Sequence, residues 1–196
     1  INLALVAASE GLPDQIAKVV QVASEVQLTL FDGITTEQLD EAVIQATLQN
    51  VKDDPDYDTI AARLQLKNDY KNILGDYDTA EELKKLHQKH FLAYLKNAVK
   101  IGLLDARMAD PEVFDHKKLA AALEPERDSL MRYLGVITRR NRYSLRKKNK
   151  KEPLEVPQYT AMRIAMGLSL LEKDPTKTAI EFYELSIKLD ENPAGS

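Results

Sequence analysis

Catalysis and ligand binding need nucleophiles, acids, bases, metal ligands or cations at workable spacing, and this sequence offers few. Among its 196 residues there is no cysteine. Disulfides, thiolate metal sites and thiol-based catalysis are therefore outside its chemistry. His87 and His90 stand three apart on an expected helix, a spacing that could set two imidazoles on one face. No acidic cluster of ligand spacing accompanies them, so a hydrated helix face is the simpler reading and no metal is expected. Arg139 to Lys151 carries eight basic residues in thirteen, dense enough to engage phosphate. Tyr143 is its one aromatic and the formal net charge of the chain is -4. The run reads as a solvated hairpin tip rather than a nucleic-acid surface. Arg163 lies in an apolar stretch where Met162, Met166 and Leu170 recur at helical spacing and read as core. A buried arginine there needs a carboxylate or several carbonyl oxygens, with Asp128 and Glu172 as candidates. Thr36 and Asp40 stand four apart, one turn along the same helix face. As residues alone they are an N-cap hydroxyl and a solvated carboxylate.

These groups must be positioned by helices. Ile1 to Ser9 is rich in Ala, Leu and Val and closes at Gly11. A second helical stretch starts at Pro13 and runs through Ile16, Val19, Val20 and Ala23. Val26 to Phe31 alternates more like a strand, although helix remains open there, and Asp32-Gly33 marks a turn. Thr36 opens the next helix as its N-cap, with Leu39, Val43, Ile44 and Leu48 as the buried stripe. Another helix spans 56–74 and is stopped by Gly75. Thr79 with Glu82 makes a capping box for a helix reaching Ile101. Asp115 starts a further one. Between Tyr143 and Val156 the helical period fails, and Lys147 to Lys151 separates two β-prone pieces as a hairpin. Pro157 and Thr176 begin the last two helices. The expected fold is mainly α, as two modules at 1–76 and 77–196 with a short β-hairpin in the second.

Hydrophobic residues at 44% and charged residues at 30% fit a globular chain able to bury its own core. No apolar run approaches the ~20 residues of a membrane span and no signal peptide opens the chain, so neither a membrane nor nucleic acid is expected as partner. The chain opens at Ile1 inside a helical pattern and reads as a piece of a longer protein.

Two clusters carry a resemblance. The first is Asp32-Gly33-Ile34-Thr35-Thr36-Glu37-Gln38-Leu39-Asp40, followed by Asp54-Pro55-Asp56-Tyr57 and Ala61-Ala62-Arg63-Leu64. The second is Tyr133-Leu134-Gly135-Val136, then Arg142-Tyr143, then Pro157-Gln158 and Met162-Arg163-Ile164 up to Gly167. In this order they resemble the ATP-cone and the helical amino-terminal region of ribonucleotide reductase large subunits. The resemblance implies a regulatory and scaffold part of an enzyme that reduces ribonucleotides to 2′-deoxyribonucleotides for DNA replication. It implies allosteric control by ATP and dATP, a cytoplasmic setting, and a homo-oligomer completed by the remainder of the large subunit. A radical-generating small subunit joins if the protein is class I. By the same resemblance Thr36, Asp40, Lys71 and Ile1 touch the adenine nucleotide: the helix start near the nucleotide, Asp40 at the sugar, Lys71 at the phosphates, Ile1 by the base.

Lys67, a turn before Lys71, competes for its role, and either is otherwise a surface lysine. The family's V-x-K-R-D-G hairpin, which serves the phosphates, does not occur in this sequence, so the cone is expected to be truncated and its ATP or dATP binding weak or lost. Reduction in the family runs on cysteines, so no catalytic residue is expected here. The alternative is a stand-alone helical binding or assembly module with a degenerate nucleotide site.

Overall fold

The computed structural model describes residues 1–28, 33–146 and 152–191, and is helical almost throughout. Contacts divide it into two compact units, residues 1–68 with 131–136, and residues 69–130 with 137–196.

The first unit contains α1 (Asn2–Ala8), α2 (Gln15–Gln27), α3 (Thr36–Gln49) and the first turns of α4 (Asp56–Leu74). Here α2 packs against both α1 and α3. Leu5 and Ala8, Val22 and Val26, Val43 and Ala46 with Ile44, and Tyr57, Ile60, Ala61 and Leu64 form one core, so each helix gives residues three or four apart. Two sequence expectations are corrected. Ile16 and Val20 face solvent, and the inward row of α2 is Lys18, Val22 and Val26. Apolar residues occur on two faces of α2, and periodicity alone did not say which face its neighbours cover. The segment from Val26 is also not strand-like at its start, because α2 continues through Gln27 with Val26 fully buried. Residues 29–32 lie outside the described ones.

The second unit begins with the end of α4. Gly75 follows that helix with φ of +102°, a left-handed conformation in which a side chain would be strained. Next comes α5 (Ala80–Lys100), whose cap is reciprocal: the Thr79 hydroxyl accepts from the Glu82 amide while the Glu82 side chain accepts from the Thr79 amide. The interhelix break at 75–79 thus lies where Gly75 and Thr79 mark it, while the division by contacts falls six residues earlier, after Asn68. Short turns and α6 (His116–Ala121) follow; α7 (Tyr133–Thr138) belongs to the first unit up to Val136, and the second unit resumes with a π-helical turn at Arg139–Tyr143 and the pair α8 (Pro157–Ser169) and α9 (Pro175–Glu191). Tyr159, Met162 and Met166 from α8, with Ala179, Tyr183 and Ile187 from α9, are buried. The methionines are core, as their spacing requires; Leu170 is half-buried. The expected hairpin tip, Lys147 to Lys151, lies outside the described residues. On its flanks Arg146 and Pro153 form an antiparallel bridge, and the Leu154 amide donates to the Leu145 carbonyl at 2.8 Å.

Candidate functional site

Thr36 is the first residue of α3 and is exposed, not its cap. The cap is Thr35, whose hydroxyl accepts from the Gln38 amide at 3.2 Å while the Gln38 side chain accepts from the Thr35 amide at 3.0 Å. With two threonines in tandem, the residue three places on decides, and only Thr35 has Gln38 there. Thr36 thereby stands in the first turn, where backbone amides have no intrahelical acceptor. Asp40 follows one turn later, half-buried. So α3 brings Thr36 and Asp40 together. Lys71 is an exposed residue in the last turn of α4, and Lys67, one turn before it, is exposed too. Ile1 caps the start of α1 and is 37% exposed. These two stand on other helices than α3, and Lys71 belongs to the second unit.

The cluster after α3 holds its scaffold in shape. Lys18 is buried on α2, and its ammonium reaches Asp54 at 2.9 Å, Asp56 at 3.1 Å and the Pro13 carbonyl at 2.7 Å. The Lys18 hydrogen bond holds the Asp54 carboxyl below its ordinary pKa. Tyr57, Ala61 and Ala62 are buried. Arg63 donates to the carbonyls of Ala8 at 3.1 Å and Glu10 at 2.8 Å, closing the carboxy-terminal end of α1. Asn50 ties α3 to α2, donating to Glu25 at 2.8 Å and to the Ala46 carbonyl at 3.0 Å. Asn50 acts on α3 itself, Lys18 joins α2 to the turn that follows α3, and Arg63 joins α4 to α1. Arg63→Ala should therefore cost the first unit about 1.5–3 kcal/mol, the range for hydrogen bonds that involve a charged group. Urea unfolding followed by circular dichroism reads this, and an unchanged midpoint would contradict it.

In the second unit Arg163 has the partner its burial demands, but the carboxylate is Glu155, neither Asp128 nor Glu172. The Arg163 side chain donates to Glu155 at 3.0 Å and 2.9 Å, and to the Tyr143 carbonyl at 2.9 Å. Burial works against the Arg163 charge, yet the Glu155 carboxylate more than offsets it and raises the guanidinium pKa. Glu155 is fully buried and also accepts from the Tyr94 hydroxyl, the Thr160 hydroxyl at 3.0 Å and the Leu145 amide at 2.9 Å. Asp128 forms a separate network, accepting from Tyr70 at 2.5 Å and Gln158 at 2.6 Å.

The histidine expectation is corrected as well. His87 is wholly buried, its Nδ1 2.8 Å from the Leu83 carbonyl and its ring edge-on to Tyr70 and Tyr159. Burial pushes its pKa down to about 4. The signal was in the sequence: Leu83, His87, Phe91 and Leu95 make one inward row of α5 at four-residue spacing. His90 is half-buried. Among the described residues no group of three or more His, Asp or Glu could hold a metal ion. The basic run is partly structural: Arg140 pairs with Asp69 at 3.0 Å, and Arg146 donates to the Arg140 carbonyl at 2.6 Å. No described helix is long and apolar enough to cross a membrane.

The comparisons with known proteins name two families along the chain. Residues 1–72 match the family described as ATP cone domain, and residues 130–196 match the family described as ribonucleotide reductase, all-alpha domain. The chain belongs to the ribonucleotide reductase large-subunit family, as its amino-terminal region. It is 35% identical over 164 residues to the ribonucleoside-diphosphate reductase subunit alpha of Chlamydia trachomatis, covering 84% of this chain and 15% of that protein. The Helicobacter pylori subunit alpha is 33% identical, over 85% of this chain and 20% of the relative. The large subunit of Caenorhabditis elegans is 32% identical, over 90% and 21%. The chain thus spans about a fifth or less of these relatives.

Proposed function

We propose that this chain is the regulatory and scaffold part of a large subunit whose whole protein reduces ribonucleotides to 2′-deoxyribonucleotides under ATP and dATP control. The observation that carries the reading is the ordered pair of matches, cone first and all-alpha domain second, on a chain that contains no cysteine. The regulatory module is proposed as 1–76 and the scaffold as 77–196. Chemistry, with its cysteines, then belongs to the remainder of the large subunit. A homo-oligomer is the proposed assembly, with a radical-generating small subunit in the class I case, in a cytoplasm that supplies DNA replication. A stand-alone module with a degenerate nucleotide site draws on the absence of the V-x-K-R-D-G motif from this sequence, but is not better supported than membership of the large subunit.

Within the cone, Thr36 is proposed to offer the first-turn amides of α3 to the nucleotide, where a helix start favours negative charge. Asp40 then lies at the sugar. A carboxylate there accepts a hydrogen bond from the 2′-hydroxyl of ATP, which dATP lacks. Such a charged hydrogen bond is worth about 1.5–3 kcal/mol, or roughly 10- to 100-fold in affinity. Lys71 is proposed to face the phosphates and Ile1 the base. The test is the whole protein with Asp40→Asn, assayed while ATP and dATP are titrated. The substitution should bring the responses to the two nucleotides together while leaving turnover intact. A variant that still separates them as the parent does would remove Asp40 from the site.

A further inference from the structure

The second unit carries two surface depressions. One, of about 420 Å³, is lined by Asp76, Asp78, Glu82, Lys85 and Lys89, and its charges already serve one another or the helix start: Lys85 pairs with Glu81, and Glu82 closes the cap of α5. The other, of about 270 Å³, lies between the end of α4, the middle of α5, the Pro153–Leu154 segment and Tyr159. It differs in chemistry. In a chain with 30% charged residues, no Asp, Glu, Lys or Arg is found among the described residues that line it.

Its polar groups are Asn72, His90 and Asn97, and the rest of the lining is apolar or aromatic. His90, Tyr94 and Asn97 share one face of α5 at helical spacing, with the small Ala93 among them leaving room. The two tyrosine hydroxyls are committed elsewhere, Tyr94 to Glu155 and Tyr159 to the His87 carbonyl. Their rings stack on each other, centroids 4.9 Å apart, and are buried beneath the groove, Tyr159 completely. Among the described residues, by contrast, no hydrogen bond engages the side chains of Asn72, His90 or Asn97. Both asparagines are exposed, so their amides are available to a guest.

We propose that this groove binds a neutral, flat heterocycle bearing an amide-like edge. Among the described lining residues a phosphate or carboxylate finds no lysine or arginine and an ammonium no carboxylate, so a charged guest recovers little of its lost hydration. A carboxamide pairs with a ring edge that offers one donor and one acceptor side by side, the arrangement by which asparagine reads a base. The partly exposed aliphatic side chains of Ile73, Ala93 and Leu154 accept the ring face. At 270 Å³ the groove falls below the ~300–1,000 Å³ of sites for drug-sized ligands, so the guest is compact. An extended peptide is a different guest, and would need a longer trough.

The test is nuclear magnetic resonance on this chain with uracil and nicotinamide as probes. Both should shift the side-chain amide signals of Asn72 and Asn97, with affinities on the order of millimolar for ligands this small. Asn72→Ala with Asn97→Ala should weaken binding roughly 25-fold, two hydrogen bonds at about fivefold each, with the circular dichroism spectrum unchanged. Asn72→Asp with Asn97→Asp keeps the shape but removes the amide donors, and should weaken binding similarly. Benzoate should leave the groove signals in place. Unmoved amide signals with both probes, equal binding by the variants, benzoate binding as well as the neutral rings, or a response only to a neutral extended peptide would each overturn the proposal.

Discussion

Glu155→Ala should lower the stability of the second unit by about 3–5 kcal/mol, the cost of breaking a buried ion pair by removing one partner. Glu155 is 1% exposed and is the shared acceptor for Arg163, Tyr94, Thr160 and the Leu145 amide. Deleting it leaves a half-buried guanidinium and several donors without an acceptor, and water cannot reach most of them. Glu155→Gln keeps one acceptor oxygen and should cost less. Replacing both Glu155 and Arg163 by leucine removes the uncompensated charge and should recover much of the loss. Urea unfolding measures all three variants. If Glu155→Ala cost under about 1 kcal/mol, near the net value of one ordinary hydrogen bond, the network would not be holding the segment between α7 and α8.

The second large effect is a pH dependence. Burial lowers the folded pKa of His87 from 6.5 to about 4. Between those values the unfolded imidazole binds a proton and the folded one does not, so stability is full above about pH 6.5 and falls as pH drops towards 4. A gap of about 2.5 pH units at 1.36 kcal/mol each amounts to about 3 kcal/mol. The Asp54 carboxyl acts further down: its folded pKa is depressed, so its contribution is present above the ordinary carboxylate value and is lost below it. His87→Phe fits the aromatic surroundings and should flatten the slope between pH 6.5 and 4 while leaving the acid limb. Equal slopes in the parent and the variant would show that His87 is not the buried neutral group.

Where side chains and backbone interact within a few residues, the fold was legible in the sequence. The Thr79–Glu82 cap, the stop at Gly75 and the α8 row of Met162 and Met166 all depend on spacings of three or four residues. The same local logic, pressed one step further, would have chosen Thr35 over Thr36 through Gln38, and would have put His87 inside with Leu83 and Phe91. Partners set by tertiary packing were not legible. Glu155 precedes α8, eight residues before Arg163, so no helical spacing links them. Lys18 meets Asp54 and Asp56 only because α2 lies beside the turn between α3 and α4. Its place four residues before Val22 puts it on the inward row of α2, but the two carboxylates that make its burial possible lie more than thirty residues away in sequence. For the nucleotide site, α3 accounts for Thr36 and Asp40 being neighbours, while the roles of Lys71 and Ile1 rest on the family resemblance.

The proposed adenine-nucleotide site retains Thr36, Asp40 and Lys71, while the family's phosphate clamp, the V-x-K-R-D-G hairpin, does not occur in these 196 residues. Two missing charge-assisted phosphate contacts, at about 1.5–3 kcal/mol each, weaken binding by a hundredfold or more. The direct measurement is calorimetric titration of dATP into this chain and into the same chain with a V-x-K-R-D-G hairpin joined ahead of Ile1. The predicted result is weak or undetectable heat from the first and recovered binding by the second. Tight dATP binding by residues 1–196 alone, or none by the extended chain, would contradict the placement of the site.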